Sequence, residues 1–333
     1  MPGSLMRASQ NPVVGKPEWQ SLFRRRLLRW YHVHKRDLPW RGTRDPYQVW
    51  LSEIMLQQTR VSAVLGYYQR FVKRFPDIHA LASAPLPSVL AVWSGLGYYR
   101  RARMLHAAAR KVLREYDGKF PHTTEQLLTL PGIGRYTAAA IASIAFDEPV
   151  AAVDGNVERV LRRLHGRPLS GAALWQATTE LLSKRHPGDF NQAMMELGAT
   201  VCLPRNPACL ACPVNPWCAS RGARIEQQAG SRKKRRIFYA LDCRHDSVFL
   251  VRRPKSASLM PGMWELPEIS AANGMGKAAM SLRHSITVTD YRVRVTRQPV
   301  PRQTHGCWVP RNRLQHLPLT GLARKILGTA NLI

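Results

Sequence analysis

Two carboxylates in the chain could perform acid–base chemistry, and Glu53 is the first. It lies within residues 47–59, among Leu51, Ile54 and Met55. A carboxyl group enclosed by apolar side chains loses hydration, which raises its pKa and makes it a usable proton donor near neutral pH. A lone glutamate more often faces water from the polar side of a helix, and the sequence leaves that alternative open.

Asp154 is the second carboxylate, and it follows a glycine turn between two predicted helices. PGIG at residues 131–134 cannot continue a helix, whereas the Ala-rich residues 135–146 favour one and Thr123 offers an upstream cap. Such a helix–hairpin–helix directs free backbone N–H groups at one point, which suits a phosphate. An ordinary αα-hairpin with Asp154 as N-cap explains this stretch equally well, and only the other motifs argue against it.

Four of the six cysteines are clustered, which indicates a metal centre in a reducing compartment rather than disulfides. They lie at Cys202, Cys209, Cys212 and Cys218, with six, two and five residues between them. Zinc usually prefers two short Cys-x-x-Cys pairs, and this irregular compact loop better suits a [4Fe–4S] cluster. Zinc stays the alternative.

A second glycine turn, GLGYYRR at residues 95–101, carries adjacent aromatic and basic side chains. Such a turn can wedge into a base stack while holding phosphates. A helix cap with a surface arginine cluster explains the same residues equally well.

Composition points to a polyanionic partner. The 333 residues suffice for two domains, and 50 Lys and Arg against 21 Asp and Glu give a net charge of +29. Nucleic acid is the favoured partner, with a membrane surface as the rival. No apolar run reaches the ~20 residues of a spanning helix and the N-terminal residues contain no signal-peptide core, so we expect a cytoplasmic protein without membrane contact.

The elements that position these residues are helical up to about residue 220. Apolar periodicity and capping signals predict helices over 19–34, from Asp45-Pro46 through Thr59, and over 78–84 and 86–93, after a tail at 1–17. A basic linker spans 223–236, for which a nuclear-localisation signal is the alternative. Strands are then predicted at 237–242, 248–253, 289–297 and 306–309, with a closing helix at 321–327.

Several motifs together resemble the endonuclease III superfamily of helix-hairpin-helix DNA glycosylases, and within it the MutY-type adenine DNA glycosylases. Besides the hairpin, Asp154 and the cysteines, they are LPWR (38–41), SEIMLQQTR (52–60), GLGYYRRAR (95–103), VDGNVERVL (153–161) and FNQAMMELGA (190–199). The resemblance implies a mainly α fold, with a glycosylase core at 18–222 and a small α+β Nudix-like domain at 237–333. The core would comprise a six-helix barrel (about 43–158) and an iron–sulfur helical domain (18–42 plus 159–222).

The resemblance also implies roles for single residues. Glu53 would protonate adenine at N7 and later activate water, Asp154 would stabilise the oxocarbenium-like sugar, and Tyr136 would position both carboxylates. The flipped adenine would contact Arg36, Trp40, Arg41, Leu56, Gln192 and Met195. Gln58 and Tyr98 would fill the vacated space, Gly132, Gly134 and Arg135 would hold the DNA backbone, and the four clustered cysteines would bind a [4Fe–4S] cluster.

Tyr136 occupies the position where bifunctional members of the superfamily carry a lysine. Without that amine there is no obvious Schiff-base nucleophile, so we expect a monofunctional enzyme of base excision repair with no strong abasic-site lyase activity. Its substrate would be adenine opposite 8-oxoguanine or guanine in double-stranded DNA, bound by a monomer. The alternatives are a thymine (T·G mismatch) glycosylase of the same fold, which Glu53 disfavours because thymine has no N7, and a non-catalytic iron–sulfur DNA-binding protein.

The C-terminal motifs VFLVRRP and GMWELPEI resemble the Nudix-like domain of MutY-type enzymes, with two departures. No Glu-rich helix follows Glu268, so no pyrophosphatase activity is expected. Ile286-Thr287-Val288 stands where the family has the Phe-Ser-His loop that recognises 8-oxoguanine. This loop predicts a weaker preference for the lesion.

Overall fold

The computed structural model of the chain describes residues 18–221, 233–254, 256–257, 260–274, 279–286, 289–301 and 303–333. The predicted tail at 1–17 and residues 223–232 of the predicted linker lie outside these ranges. The chain divides into two compact units. The first comprises the described parts of Met1–Gln57 and Lys111–Gln227, and the second those of Gln58–Arg110 and Gln228–Ile333. This division differs from the predicted domain boundaries, which stay a prediction.

Helices make up the chain as far as residue 200. In order they are α1 (Trp19–His34), α2 (Pro46–Leu56), α3 (Val61–Arg74), α4 (Ile78–Ser83), α5 (Leu86–Trp93), α6 (Arg100–Glu115), α7 (Thr124–Leu128), α8 (Arg135–Phe146), α9 (Gly155–His165), α10 (Gly171–Leu181) and α11 (Pro187–Thr200). Single 3-10 turns follow at Cys209–Ala211 and Asn215–Trp217. Across the described ranges, no helix combines the length and apolarity needed to cross a bilayer.

Helix α2, which carries Glu53, begins where its capping signal predicts. The Asp45 carboxylate accepts a hydrogen bond from the Tyr47 backbone N–H at 2.9 Å, and Pro46 occupies the first helical turn. The predicted continuation of the helix to Thr59 is wrong. The helix ends at Leu56, because Gln57 leaves the helical region with ψ of 114° and Gln58 then adopts a left-handed backbone with φ of 54°.

Helices α1, α9, α10 and α11 share the core of the first unit. Phe23, Leu27 and Tyr31 recur every four residues along α1 and are fully buried in this core. Helix α11 approaches the start of α9 so closely that a Cβ added at Gly198 would lie 2.6 Å from Asn156 Cβ. The absence of a side chain at Gly198 therefore sets where the α9 N-terminus, and with it Asp154, can lie.

Strands begin at residue 233, in the second unit. They are β1 (Lys233–Ala240), β2 (Cys243–Arg244), β3 (Ser247–Arg252), β4 (Trp264–Glu265), β5 (Glu268–Ile269), β6 (Met280–Ile286), β7 (Thr289–Thr296) and β8 (Cys307–Pro310), interspersed with helices α12 (Ala271–Gly274), α13 (Arg311–Leu314) and α14 (Gly321–Thr329). One sheet has the order β5-β1-β7-β6, with β1 and β7 parallel. In the other, β3 pairs with β2, β4 and β8. The prediction of a helical part followed by a smaller α+β part is confirmed.

Two features of the first sheet differ from the sequence prediction. Lys233–Arg236 was placed in the linker, but these residues begin β1, where they pair with β7. Strand β6 was not predicted. The consecutive basic residues of Lys233–Arg236 give no strand pattern, and they form a strand because β7 supplies hydrogen-bonding partners. In β6 the apolar residues Met280, Leu282 and Ile286 alternate with polar ones, a strand signal that the sequence analysis missed.

A buried hydrogen-bond cluster joins the helices of the second unit to its C-terminal residues. The Leu319 carbonyl accepts from the Tyr99 hydroxyl at 2.5 Å and from the Ser94 hydroxyl at 3.1 Å. Arg324 Nε donates to the Ser94 hydroxyl at 3.0 Å. Tyr99 directly follows the turn over residues 95–98, so the cluster fixes one end of that turn.

Candidate active site

Glu53 is enclosed rather than solvent-facing, so the surface alternative for this residue is wrong. Its exposed fraction is 8%. The Tyr136 hydroxyl, on α8, donates a hydrogen bond to Glu53 Oε2 at 2.6 Å. Burial raises the pKa of Glu53 to about 7, opposed by the Tyr136 hydrogen bond and Arg41 and reinforced by the charge of Asp154. Glu53 can therefore hold a proton near neutral pH.

Asp154 is both the N-cap of a helix and a largely buried carboxylate. It is the N-cap of α9, where its carboxylate accepts from the backbone N–H groups of Asn156 at 2.9 Å and Val157 at 2.7 Å. The Asn156 side-chain amide donates a third hydrogen bond at 2.8 Å. Burial raises the pKa of Asp154, and these hydrogen bonds oppose the rise by favouring the ionised form. The N-cap hypothesis and a functional role are thus compatible.

The two carboxylates and Tyr136 form one electrostatic cluster. Burial raises the pKa of Tyr136 well above its ordinary value, and the charges of Glu53 and Asp154 raise it further, so its hydroxyl stays protonated and remains a donor to Glu53. Two nearby carboxyl groups in different environments can serve as a proton donor and as a fixed negative charge. The cluster therefore has the components of acid-catalysed bond cleavage through a cationic intermediate.

Glu196, which the sequence analysis did not single out, anchors two of the predicted pocket residues. Its fully buried carboxylate accepts from Arg36 Nε at 2.7 Å, Arg36 Nη2 at 2.8 Å and Arg41 Nη2 at 2.7 Å. Burial opposes ionisation of Glu196, but the hydrogen bonds of Arg36 and the charge of Arg41 lower its pKa overall. Arg41 also donates to the Tyr31 hydroxyl at 3.2 Å. The arginines are thereby held in fixed positions.

The other predicted pocket residues lie in different surroundings. Met195 Sδ lies 3.5 Å from the Tyr136 hydroxyl, next to the cluster. Trp40 is buried and Leu56 is half-buried. Gln192 lines a small cavity of about 110 Å³ whose lining includes neither Glu53 nor Tyr136. The structure therefore brings Met195 to the carboxylates and leaves the place of Gln192 in a common pocket as a prediction.

The two predicted space-filling residues belong to the second unit and share an unusual backbone. Gln58 and Tyr98 have φ of 54° and 51°, a left-handed conformation that costs energy for residues other than glycine. Tyr98 is 38% exposed, and the Arg101 guanidinium lies 5.1 Å from its ring centroid. Arg101 also donates to the Thr59 hydroxyl at 3.0 Å, so one arginine contacts both turns.

The glycine hairpin of the first unit has the predicted helix on each side. Gly132 takes a positive φ of 78°, as expected for the turn. Gly134 does not: it is the N-cap of α8, with an extended φ of −96°. The Arg135 guanidinium stacks 3.8 Å from the Trp175 ring centroid. The turn thus presents the start of α8 beside a fixed cation.

Comparisons with known proteins agree with these motifs. Residues 51–182 match the model of the HhH-GPD superfamily of base excision DNA repair proteins. An adenine DNA glycosylase from Rattus norvegicus is 41% identical over 312 residues, covering 74% of this chain and 60% of the relative. One from Schizosaccharomyces pombe is 32% identical over 318 residues, covering 74% of this chain and 69% of the relative. A solved thermostable thymine-DNA glycosylase aligns with a TM-score of 0.57 and 32% identity, over 61% of this chain and 96% of its own.

The chain belongs to the MutY-type family of the HhH-GPD superfamily. It spans 60% of the length of its rat relative. This membership confirms the resemblance drawn from the sequence motifs.

The four clustered cysteines of this family member are partly buried free thiols on the segment after α11. Burial, together with the charges of Cys202, Cys218 and Cys209, raises the pKa of Cys212 to about 11, so the four lie near one another. Arg163 Nη1 lies 3.3 Å from Cys202 Sγ. Within the described ranges, no three His, Cys, Asp or Glu side chains are arranged to hold a metal ion. The thiols are nevertheless a chemically suitable donor set for iron.

Sequence reasoning missed residues whose importance depends on long-range contacts. Asn191 is 1% exposed; its side chain accepts from the Ala152 N–H at 3.1 Å and donates to the Val150 carbonyl at 2.9 Å, fixing the loop before Asp154. Asn156 binds Asp154, and Glu196 binds two arginines. The signal for Asn191 and Glu196 was present, because both are polar residues inside the apolar FNQAMMELGA motif.

Proposed function

We propose that the chain is a monofunctional adenine DNA glycosylase, which hydrolyses the N-glycosidic bond of adenine mispaired with 8-oxoguanine or guanine. The observation that carries the proposal is the buried Glu53, hydrogen-bonded by Tyr136 and close enough to Asp154 for the charge of Asp154 to raise its pKa. Family membership supports base excision as the class of reaction, and the cluster of Glu53, Tyr136 and Asp154 supports acid-catalysed hydrolysis of the N-glycosidic bond.

The residues divide the reaction into two stages. Glu53 transfers its proton to adenine N7, so that the base leaves neutral when the bond between C1′ and N9 breaks. The sugar that remains is oxocarbenium-like, and the negative charge of Asp154 stabilises it electrostatically or by transient attachment. Glu53, now a carboxylate, accepts a proton from the incoming water, whose oxygen bonds to C1′. Tyr136 keeps Glu53 in place through both stages.

The absence of a lysine after Arg135 supports monofunctional chemistry. The protonated hydroxyl of Tyr136 donates a hydrogen bond to Glu53, and the side chain has no amine that could form a Schiff base with the sugar. The abasic product should therefore be released without strand cleavage.

Thymine removal is the second candidate function, and the similarity to a thymine-DNA glycosylase favours keeping it. Glu53 argues for adenine, because a buried acid has a use in protonating N7 and thymine has no such atom. A non-catalytic DNA-binding role is disfavoured, since both carboxylates belong to one cluster with Tyr136.

The finer structural expectations belong to the same proposal. The helical part would form a six-helix barrel with an iron–sulfur domain, and the C-terminal part would be Nudix-like. The protein would act as a cytoplasmic monomer on mismatched double-stranded DNA. The lesion-recognition loop aligned at 286–288 falls almost entirely outside the described residues, so a weaker preference for 8-oxoguanine stays a proposal from sequence.

The test is cleavage of duplexes that carry each mismatch, with and without alkali. We expect excision of adenine opposite 8-oxoguanine and guanine, none of thymine opposite guanine, and strand breaks only after alkali or heat. Thymine excision at a comparable rate would favour the second candidate. Cleavage without alkali, trapped by borohydride, would show that another amine acts as a lyase nucleophile.

Cys202, Cys209, Cys212 and Cys218 would hold a [4Fe–4S] cluster. When bound, the cluster would crosslink the loop that carries these thiols and act as a redox-active group. Arg163 supports this assignment, because its guanidinium lies against Cys202 Sγ and can offset negative charge on the thiolates.

We expect anaerobically purified protein to be brown and to contain about four irons per chain. The measurements are metal analysis and visible absorption. A Cys243→Ser variant serves as the control, because Cys243 is an exposed thiol outside the group, and it should retain full iron. Stoichiometric zinc with no visible absorption would contradict the assignment.

A further inference from the structure

Three arginines stand side by side across the first sheet of the second unit. Strand register pairs Arg236 of β1 with Arg292 of β7, and pairs Arg292 with Arg283 of β6. All three side chains are exposed. We call these three residues the arginine row.

The row lies on the outer face of the sheet. Neighbouring residues Val293 and Val295 of β7 are buried in the core of the unit, and successive side chains of a strand point to opposite faces. By the same alternation Lys234, paired with Asp290, belongs to the outer face. The surface is therefore a cationic strip on three adjacent strands.

The arrangement is unfavourable for the isolated sheet. Like charges directly opposite one another on neighbouring strands repel. Within the described ranges none of the three arginines has an ion-pair partner, whereas Arg253 of the same unit pairs with Glu265 at 2.7 Å. A polyanion bound along the row would offset this repulsion.

We propose that the arginine row binds the phosphodiester backbone of duplex DNA. Strands lie about 4.8 Å apart, so the row extends about 10 Å, and one DNA strand carries about three phosphates over that length of helix axis. Arg283 and Arg292 lie directly opposite each other on the antiparallel pair β6–β7. The identity of the polyanion as DNA rests on the proposed function, while the site itself rests on strand register.

The row would act through charge and not through base identity. It should therefore add the same increment of affinity to matched and mismatched duplexes and make binding more salt-dependent. It leaves Glu53 and Asp154 untouched, so the excision step should not depend on it.

The test compares two triple variants of the full chain. The first is Arg236→Gln/Arg283→Gln/Arg292→Gln. The matched control is Arg244→Gln/Arg297→Gln/Arg313→Gln, which removes three exposed arginines elsewhere in the same unit. The dissociation constant of a mismatched and a matched 30-base-pair duplex is measured across a salt series, with a single strand of the same length as a further arm.

For the row variant we expect the slope of log K against log salt to become shallower by up to about 2.7, at about 0.9 for each phosphate that is no longer neutralised. The control should change the slope by less than a third as much. Equal changes in both variants would show a general charge effect and overturn the site. An effect confined to the single strand would overturn the duplex assignment, and no change in either variant would fit an acidic protein as occupant instead.

Further measurements distinguish a failure of the arginine row as a DNA-binding site from a failure of the proposed function. Single-turnover excision at saturating enzyme should be unchanged in the row variant. If the wild-type protein removes no adenine but the salt slopes of the two triple variants differ as expected, the proposed function is wrong and the DNA-binding role of the arginine row is supported. The melting temperature of the row variant at low salt should be higher than that of wild type, because the repulsion between the arginines is relieved. The single variant Arg292→Gln should give about a third or more of the change in salt slope.

Discussion

Replacing Glu53 with Gln is expected to slow adenine excision by ~100-fold or more while leaving duplex binding intact. Glutamine keeps the shape of the side chain and can still accept the Tyr136 hydrogen bond seen at 2.6 Å. It has no proton to give to N7 and cannot activate water afterwards. Single-turnover kinetics on adenine opposite 8-oxoguanine measure the effect, and a rate near wild type would remove Glu53 from the mechanism.

The same substitution should increase stability above neutral pH. The pKa of Glu53 rises from 4.5 to about 7 in the folded protein, so the folded state retains a proton that the unfolded state releases. The contribution of Glu53 to stability is therefore fully present below pH 4.5 and is lost as pH rises through about 7. The full loss is on the order of 3 kcal/mol at about 1.4 kcal/mol per pKa unit. Glutamine removes this penalty, so the variant should melt at a higher temperature than wild type at pH 8.

The pH profile and a matched control complete this test. Wild-type excision should decline as pH rises through about 7, where Glu53 loses its proton, and also at low pH as Asp154 becomes protonated. Glu158→Gln is the control, because Glu158 pairs with Arg162 on α9 and touches neither carboxylate. It should alter neither the rate nor the profile. A profile flat from pH 6 to 9 would contradict the assignment of Glu53.

Features of the fold could be predicted from the sequence when residues close by in the chain determine them. The start of α2 at Asp45-Pro46 and the N-cap of α9 at Asp154 are set by residues two or three positions away, and both were visible in the sequence. The burial of Glu53 was not. Its hydrogen-bond partner Tyr136 lies 83 residues further along the chain, and only the family resemblance connected the two.

The strands show the same dependence on distant partners. The valines of β7 alternate with polar residues and were predicted, because burial of one face imposes that pattern. Lys233–Arg236 carries no such pattern, and only its pairing with β7 makes it a strand. Met280 and Leu282 of β6 do alternate with polar residues, and this strand was missed although its signal was present. The arginine row is consequently invisible in the sequence, where its members are separated by 47 and 9 residues.

Glu196 provides the second large effect; its motif marked the residue itself, but no sequence pattern could identify its partners. Its partners Arg36 and Arg41 lie 160 and 155 residues away along the chain. We expect Glu196→Gln to destabilise the protein by about 3 kcal/mol, because the buried Arg41 loses the carboxylate that compensates its charge, whereas Arg36 is 37% exposed and is partly solvated by water. Urea unfolding measures the change.

The control is an exposed pair of the same chemistry in the same unit. Arg44 pairs with Asp147, with side chains 69% and 47% exposed, against 0% for Glu196. Asp147→Asn should cost less than about 1 kcal/mol, because water solvates the arginine that remains. Equal effects of the two substitutions would show that burial of Glu196 does not determine its contribution.

Glu196→Gln should also change the chemistry, through Arg41. The positive charge of Arg41 lowers the pKa of Glu53, and the carboxylate of Glu196 now partly neutralises that charge. Without Glu196 the pKa of Glu53 should fall, so the decline of excision with pH should begin at a lower pH than in wild type. Adding Arg41→Met to Glu196→Gln removes the uncompensated charge and should recover part of the stability and return the profile towards higher pH. A purely structural role would lower stability without moving the profile, and it would leave the double variant no more stable than Glu196→Gln.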